Sequence, residues 1–218
     1  MNQILGIIAA IVALVGCSEP RAAITPTGFH EPTKPQHIVQ WDVDFYEQAG
    51  EAASRVLSGY LSASDDITAA GGLNPEAIES WVSPSWLPKE REGFAFFITH
   101  HERTVGVSRF DNPVVQLARL TPEKMLDVGV IVCVDTTEVM VIPLDAPDPP
   151  DEVMMWHPNY QDFEGTDQEW AVIEDYFATV PVRGGDRRTI VFWFVGETLE
   201  DLVVDSSEEW WGANWCLS

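Results

Sequence analysis

The feature that most restricts what this chain can fold into is a change of hydrophobic period near Thr104. Before it, Phe45, Ala49, Ala52, Ala53, Val56 and Tyr60 recur three and four residues apart, with Leu57 and Leu61 beside them. That spacing puts one apolar stripe on a helix and predicts a helix over residues 45 to about 64. Asp44, three residues before Glu47, suggests a capping box at its start. After Thr104 the period shortens to two: residues 104–110 and 114–120 alternate, and residues 128–134, 137–142, 189–195 and 202–205 read as further strands. Helices first and strands afterwards predict an α+β domain, with N-terminal helices packed on a curved antiparallel sheet.

The punctuation between these segments is equally readable. Gly71 and Gly72 end a break after the first helix, and Asn74-Pro75 supplies a cap and first-turn proline for a short helix through about Val82. Residues 86–101 are expected to be helical from Trp86, Glu90, Phe94, Phe97, Ile98 and His101, although Gly93 lies inside. Asp111-Asn112-Pro113 offers turn chemistry between the first two strands, and Asp135-Thr136 suggests a tight hairpin. Between Leu144 and Asp186 the chain turns acidic and proline-rich at Asp145, Pro147, Asp148, Pro149, Pro150, Asp151 and Glu152. A short helix over residues 168–177 would carry Trp170, Ile173 and Phe177 on one side. This stretch is expected to be a solvated loop; covering the open end of the sheet or touching a partner are the alternatives.

The apolar run over residues 4–15 is shorter than the roughly 18 residues a spanning helix needs, but it suits the central region of a signal peptide. Met1-Asn2-Gln3 brings no Lys or Arg, so only the terminal amine is positive there. Leu14-Val15-Gly16-Cys17, with a small residue directly before cysteine, resembles the lipobox of bacterial lipoproteins. The resemblance implies that residues 1–16 are a signal peptide and that Cys17 is lipidated, as by palmitate, and begins the mature protein. The acyl chains would give the two or more lipid signals that stable anchoring takes. Residues 17–40, broken by Pro20, Pro26, Pro32 and Pro35, would be a tether, and residues 41–218 a single body on the extracytoplasmic face of a cell membrane. A plain cleaved signal or a buried apolar segment is the competing reading.

Three cysteines are present. If Cys17 carries lipid, Cys133 and Cys216 are left either as a disulfide or as two separate buried thiols. A bridge closing a loop of about 84 residues would be worth roughly 4–5 kcal/mol in the chain-entropy account. The formal charge is −23, from 35 acidic and 12 basic residues, and none of it lies in residues 1–16. Nucleic-acid backbones and anionic headgroups would be repelled, so neither is expected as a partner. Nine Trp and ten Phe supply enough apolar area for a real core and argue against disorder.

A second resemblance rests on Val128-Gly129-Val130-Ile131-Val132-Cys133-Val134-Asp135, a following hairpin, and Trp215-Cys216 near the end. The first helix, Trp81-Val82-Ser83-Pro84-Ser85-Trp86, and the switch to strands at Val105-Gly106-Val107 precede them in order. The set is similar to extracytoplasmic lipoproteins of the nuclear-transport-factor-two-like (cystatin-like) cone superfamily. It implies a cone-shaped α+β fold over most of residues 41–218, a disulfide from Cys133 to Cys216, and no established activity. Residues 144–186 depart from the pattern.

Cone-fold relatives include isomerases and dehydratases that use Asp or His as a general base in an apolar pocket. His100, His101, Asp111 and Asp135 are the candidates here, and each has a plainer role: the histidines at a helix end, the aspartates at turns. His30 and His37 fall in the tether without metal spacing, and Asp145, Asp148 and Asp151 lack the glycine of a calcium loop. No Gly-x-Ser-x-Gly motif or phosphate-cradling glycine loop is present. No catalytic residue, metal or cofactor is therefore assigned. The indole-rich residues 208–216 are expected to be pinned to the sheet and to complete the core; exposed, they would be a carbohydrate or protein docking surface. The expectation is a lipoprotein that binds a ligand or protein partner, against a small-molecule enzyme as the alternative. Whether the chain's own aromatic residues fill the interior separates the two.

Overall fold

The computed structural model describes residues 43–156 and 163–217. The first helix, α1, is Val43–Ala69. Its apolar stripe is buried as the periodicity requires, from Ala49 through Tyr60 and Leu61 to Ile67. Alanines and Gly50 on this face bring the helix close to the strands, and a Cβ added at Gly50 would meet Val115 at 3.2 Å. The helix runs past the predicted end: two of the buried positions of its last turns, Ser64 and Thr68, are polar and interrupt the apolar pattern around Ile67. Thr68 is satisfied by Thr104, whose hydroxyl lies 2.7 Å away. Since helix begins at Val43, Asp44 sits in the first turn and is not the cap of a capping box.

The short helix expected through Val82 is only a 3-10 turn, Pro75–Ile78, and Asn74 precedes it in the left-handed region with no side-chain cap. Val82 instead makes a parallel bridge to Val204, so Trp81–Ser83 runs extended along a strand edge. Helix α2 is Leu87–His100; its Glu90, Gly93, Phe94 and Phe97 are buried, whereas Ile98 points outward.

Among the described residues, seven strands make two antiparallel sheets: β1 (Glu102–Val105), β2 (Arg109–Leu120), β3 (Leu126–Asp135), β4 (Met140–Pro143), β5 (Arg183–Gly184), β6 (Arg187–Gly196) and β7 (Val203–Glu209). The larger sheet has the order β2-β3-β6-β7 and the smaller β1-β4-β5. The fold is α+β, with the N-terminal helix packed on a sheet. Asp111-Asn112-Pro113 is not a turn between strands but an irregularity inside β2, where the register to β3 shifts and Asn112 takes a positive φ. Asp135-Thr136 does not close a hairpin either. β3 pairs with β2 and β6, while β4 pairs with β1 and β5.

The chain crosses between the sheets at three places that meet in space: Gly106–Ser108, Thr136–Val139 and Gly184–Asp186. A Cβ at Gly106 (φ +107) would collide with the Glu138 carbonyl, and one at Gly185 with that of Thr136. Thr136 and Asp186 exchange backbone and side-chain hydrogen bonds here at 2.8–3.0 Å. Arginines staple the junction: Arg109 to Glu138, Arg183 to Glu102, Arg187 to Asp111 and Asp135, and Arg188 to Asp186.

Among the described residues two apolar cores result. The larger lies between the helices and one face of the larger sheet, and holds Tyr60, Phe94, Phe97, Val128, Val130, Val132, Phe192 and Phe194. The smaller contains Met140, Ile142, Val153, Ile173, Tyr176 and Val180. The described part of residues 144–186 is thus not a solvated loop. Within them α3 (Asp151–Trp156) and α4 (Asp167–Thr179) bury an apolar face, with Trp170 and Phe177 packed against that core. Thr166 and Glu169 form a reciprocal capping box at the start of α4.

Candidate functional site

The space between α1, α2 and the larger sheet is where a deep pocket would lie, and it is occupied by the chain itself. Tyr60 meets Phe192 edge-on at 6.0 Å, and Phe192 lies 6.3 Å from Phe194. What remains is a cavity of about 30 Å³ bounded by Tyr60, Leu61, Val134, Ile190 and Phe192, with Ser64, Ser108, Thr136, Asp186 and Arg188 at its rim. That is room for a water or two, not for an organic substrate.

A carboxyl sits deep in this core. Glu90 is 3% exposed, and its Oε1 accepts from the Tyr60 hydroxyl at 3.0 Å and the Trp86 indole N–H at 2.6 Å. Oε2 is buried without a hydrogen-bond partner. Burial pushes the Glu90 carboxyl above the ordinary range; the two donors and Lys89 pull against it. Burial also raises Tyr60, with the neighbouring carboxylate adding to the effect. The arrangement ties α1 to α2 through a carboxyl whose charged form burial disfavours. It has no substrate space beside it.

A second acid, Asp65, lines an open groove beside the cavity. Asp65 accepts from the Ser108 backbone N–H at 2.8 Å and hydroxyl at 2.7 Å, which fixes the crossing segment to the C-terminal half of α1. Burial raises Asp65, and the two Ser108 bonds offset part of that. The groove, of about 510 Å³, runs past Ser62, Asp66, Val107 and Phe110.

The residues singled out from the sequence are dispersed. His100 and His101 are exposed at the end of α2; His100 stacks on Phe96 at 3.8 Å, and His101 caps the helix in the left-handed region. Asp111 and Asp135 do come together, but around Arg187, at 3.2 and 3.1 Å. Asp135 also holds Thr137. Of the acidic triplet, Asp148 pairs with Arg103 at 2.7 Å. Among the described residues no group of His, Cys, Asp or Glu is placed to hold a metal ion, and no helix is long and apolar enough to cross a membrane. Cys17, His30 and His37 lie outside the described residues.

Cys133 and Cys216 are joined by a disulfide, with Cα atoms 5.0 Å apart. It fastens the C-terminal tail to β3 on the face away from α1, where the absence of a side chain at Gly129 makes room for the Trp193 ring; a Cβ added there would meet that ring at 2.6 Å. The tail's indoles do not complete either core. Trp211 is 86% exposed and stacks on Trp210 at 5.0 Å.

The buried acids Glu90 and Asp65 were not among the sequence candidates. Glu90 had a visible signal: it occupies the apolar stripe of α2 between Trp86 and Phe94, where a carboxylate has no reason to be unless it is buried and bonded. Asp65 had none, since its partner Ser108 is 43 residues away.

No family model matches this chain, and no curated protein matches it. Among solved structures it is similar to the intermembrane space region of chloroplast protein ARC6, with a TM-score of 0.40 and 7% identity over 73% of this chain and 95% of that one. A likeness at that level carries no conclusion about this chain.

Proposed function

We propose that this chain is an exported lipoprotein, held on the extracytoplasmic face of a membrane by acyl groups on Cys17, whose α+β body binds a partner and does not turn over a substrate. The proposal includes descent from the cone-fold lipoproteins that residues 128–135 and the tail resemble. The observation that carries the binding role is the filled interior: Tyr60, Phe94, Phe97, Phe192 and Phe194 take the volume a cone-fold enzyme needs for substrate, and about 30 Å³ is left. The buried acid, Glu90, faces Tyr60 and Trp86 instead of a pocket, so as a general base it has nothing to act on, and Asp65, which lines the open groove, is engaged by the Ser108 backbone N–H and hydroxyl.

The test is recovery of the anchored protein from its native envelope after mild crosslinking, together with intact mass. A stoichiometric partner and a mass increment equal to acyl groups on Cys17, absent in Cys17→Ser, are expected. An unacylated chain overturns the address. Turnover of a small hydroxy- or keto-compound that is abolished by Glu90→Gln overturns the binding role.

A further inference from the structure

We propose that the stacked Trp210–Trp211 pair, flanked by Glu208 and Glu209, is the recognition point for an arginine or lysine side chain of a protein partner. The inference deepens the binding role and rests on it. The pair stands in a short loop clamped at both ends. At one end the Trp210 backbone N–H donates to the Thr189 carbonyl at 3.0 Å. At the other the Trp215 backbone N–H donates to the Thr189 hydroxyl at 2.9 Å, and Cys216 is bonded to Cys133. The Trp210 ring lies so close to the backbone of Gly212 that a Cβ there would strike it. Trp211 in turn stacks on Trp210 with 27° between the rings, leaving the residue 86% exposed.

An indole held in this way keeps an open face in water at little further cost in side-chain freedom when something docks on it. The face of tryptophan is the best aromatic surface for a cation. Glu208 and Glu209 are exposed at the end of β7, directly before the pair, and neither enters an ion pair among the described residues. As successive residues of β7 their side chains alternate between the two faces of the sheet; a purely apolar partner that covers the carboxylate beside the rings would have to strip water from it, whereas a guanidinium or ammonium group would satisfy it. The net charge of −23 draws basic partners and repels phosphates and anionic lipid. Ring, carboxylates and overall field therefore select the same chemistry.

The experiment measures binding of the full chain to a fluorescent Gly-Arg-Gly-Arg-Gly peptide and to its citrulline counterpart, at about 0.15 and about 0.5 M salt, where screening separates long-range charge from contact. Trp211→Ala is expected to weaken the arginine peptide about two- to fivefold at both salts, with Trp211→Phe between it and the parent. The double variant Glu208→Gln, Glu209→Gln is expected to weaken binding mainly at the lower salt. Equal affinity in the parent and Trp211→Ala overturns the site, as does equal Trp211 dependence for the citrulline peptide. Trp211-dependent binding to phosphatidylglycerol vesicles or to a polysaccharide, without peptide dependence, overturns it too. An envelope partner retained by Trp211→Ala overturns this site and leaves the binding role standing; peptide binding through Trp211 with no envelope partner supports the site and removes the role.

Discussion

The Tyr60 hydroxyl on α1 donates to Oε1 of Glu90 on α2 at 3.0 Å, inside a core where neither side chain meets solvent. The second carboxyl oxygen is unpartnered, so the charged form of Glu90 is disfavoured in the fold and its pKa is raised, by burial first. A carboxyl raised above its unfolded value contributes stability that is fully present below the unfolded pKa and is lost as pH rises through the folded one. Thermal stability is therefore expected to increase on acidification from pH 8 toward pH 5. Asp65, also raised, and relief of the net negative charge act in the same direction. The contribution of Glu90 is isolated by comparison: Glu90→Gln should have a higher Tm than the parent at pH 8 and a flatter Tm-against-pH curve. A parallel curve in thermal melts would show that this carboxyl is not the titrating group.

The disulfide closes a loop with a sequence separation of 83 and fixes the tail to the central strand β3. The double variant Cys133→Ser, Cys216→Ser is expected to lose about 2–5 kcal/mol in urea unfolding. Reducing the parent protein should reproduce most of that loss, while leaving Cys133→Ser, Cys216→Ser unchanged.

Phe192 and Trp211 should behave oppositely. Phe192→Ala opens a hole against Tyr60 in a packed core and is expected to cost about 3–5 kcal/mol. Trp211→Ala, on the exposed loop, is expected to stay within about 0.5 kcal/mol of the parent. Equilibrium denaturation of the two variants side by side checks both values.

What was legible in the chain follows from which interactions are local. The stripe from Ala49 to Leu61 and the β-branched run from Val128 to Val134 each announce their own element, because burial on one face imposes a period on the residues themselves. The sheet assignments were not legible. Thr137 follows Asp135 by two residues and reads as the return of a hairpin, yet the chain steps there into a different sheet whose partners, Arg103 and Arg183, lie far off in sequence. Residues 144–186 misled for a related reason. Acids such as Asp167 and Asp175 mark their outer face, while the core they share with Met140 and Ile142 is supplied by another part of the chain. Of the site, only Glu90 left a local trace.

The crossing at Gly106 gives a sharp test of the junction. Its φ of +107 and the Glu138 carbonyl pressed against it leave no place for a side chain. Gly106→Ala is expected to destabilise by more than about 1 kcal/mol, beyond any gain from restricting the unfolded chain. Urea unfolding followed by circular dichroism would measure it, and a neutral result would mean that the backbone there can be re-routed.

The core formed by Met140, Ile142, Val153, Ile173, Tyr176 and Val180 is small and stands apart from the larger one. Such a body has its own, lower free energy of opening. Amide protons of α4 should then exchange with deuterium well before those of β3, and a protease should nick the lobe while the rest of the molecule stays intact. The protein would in that case be two thermodynamic units sharing one covalent chain, able to loosen one of them without surrendering the other.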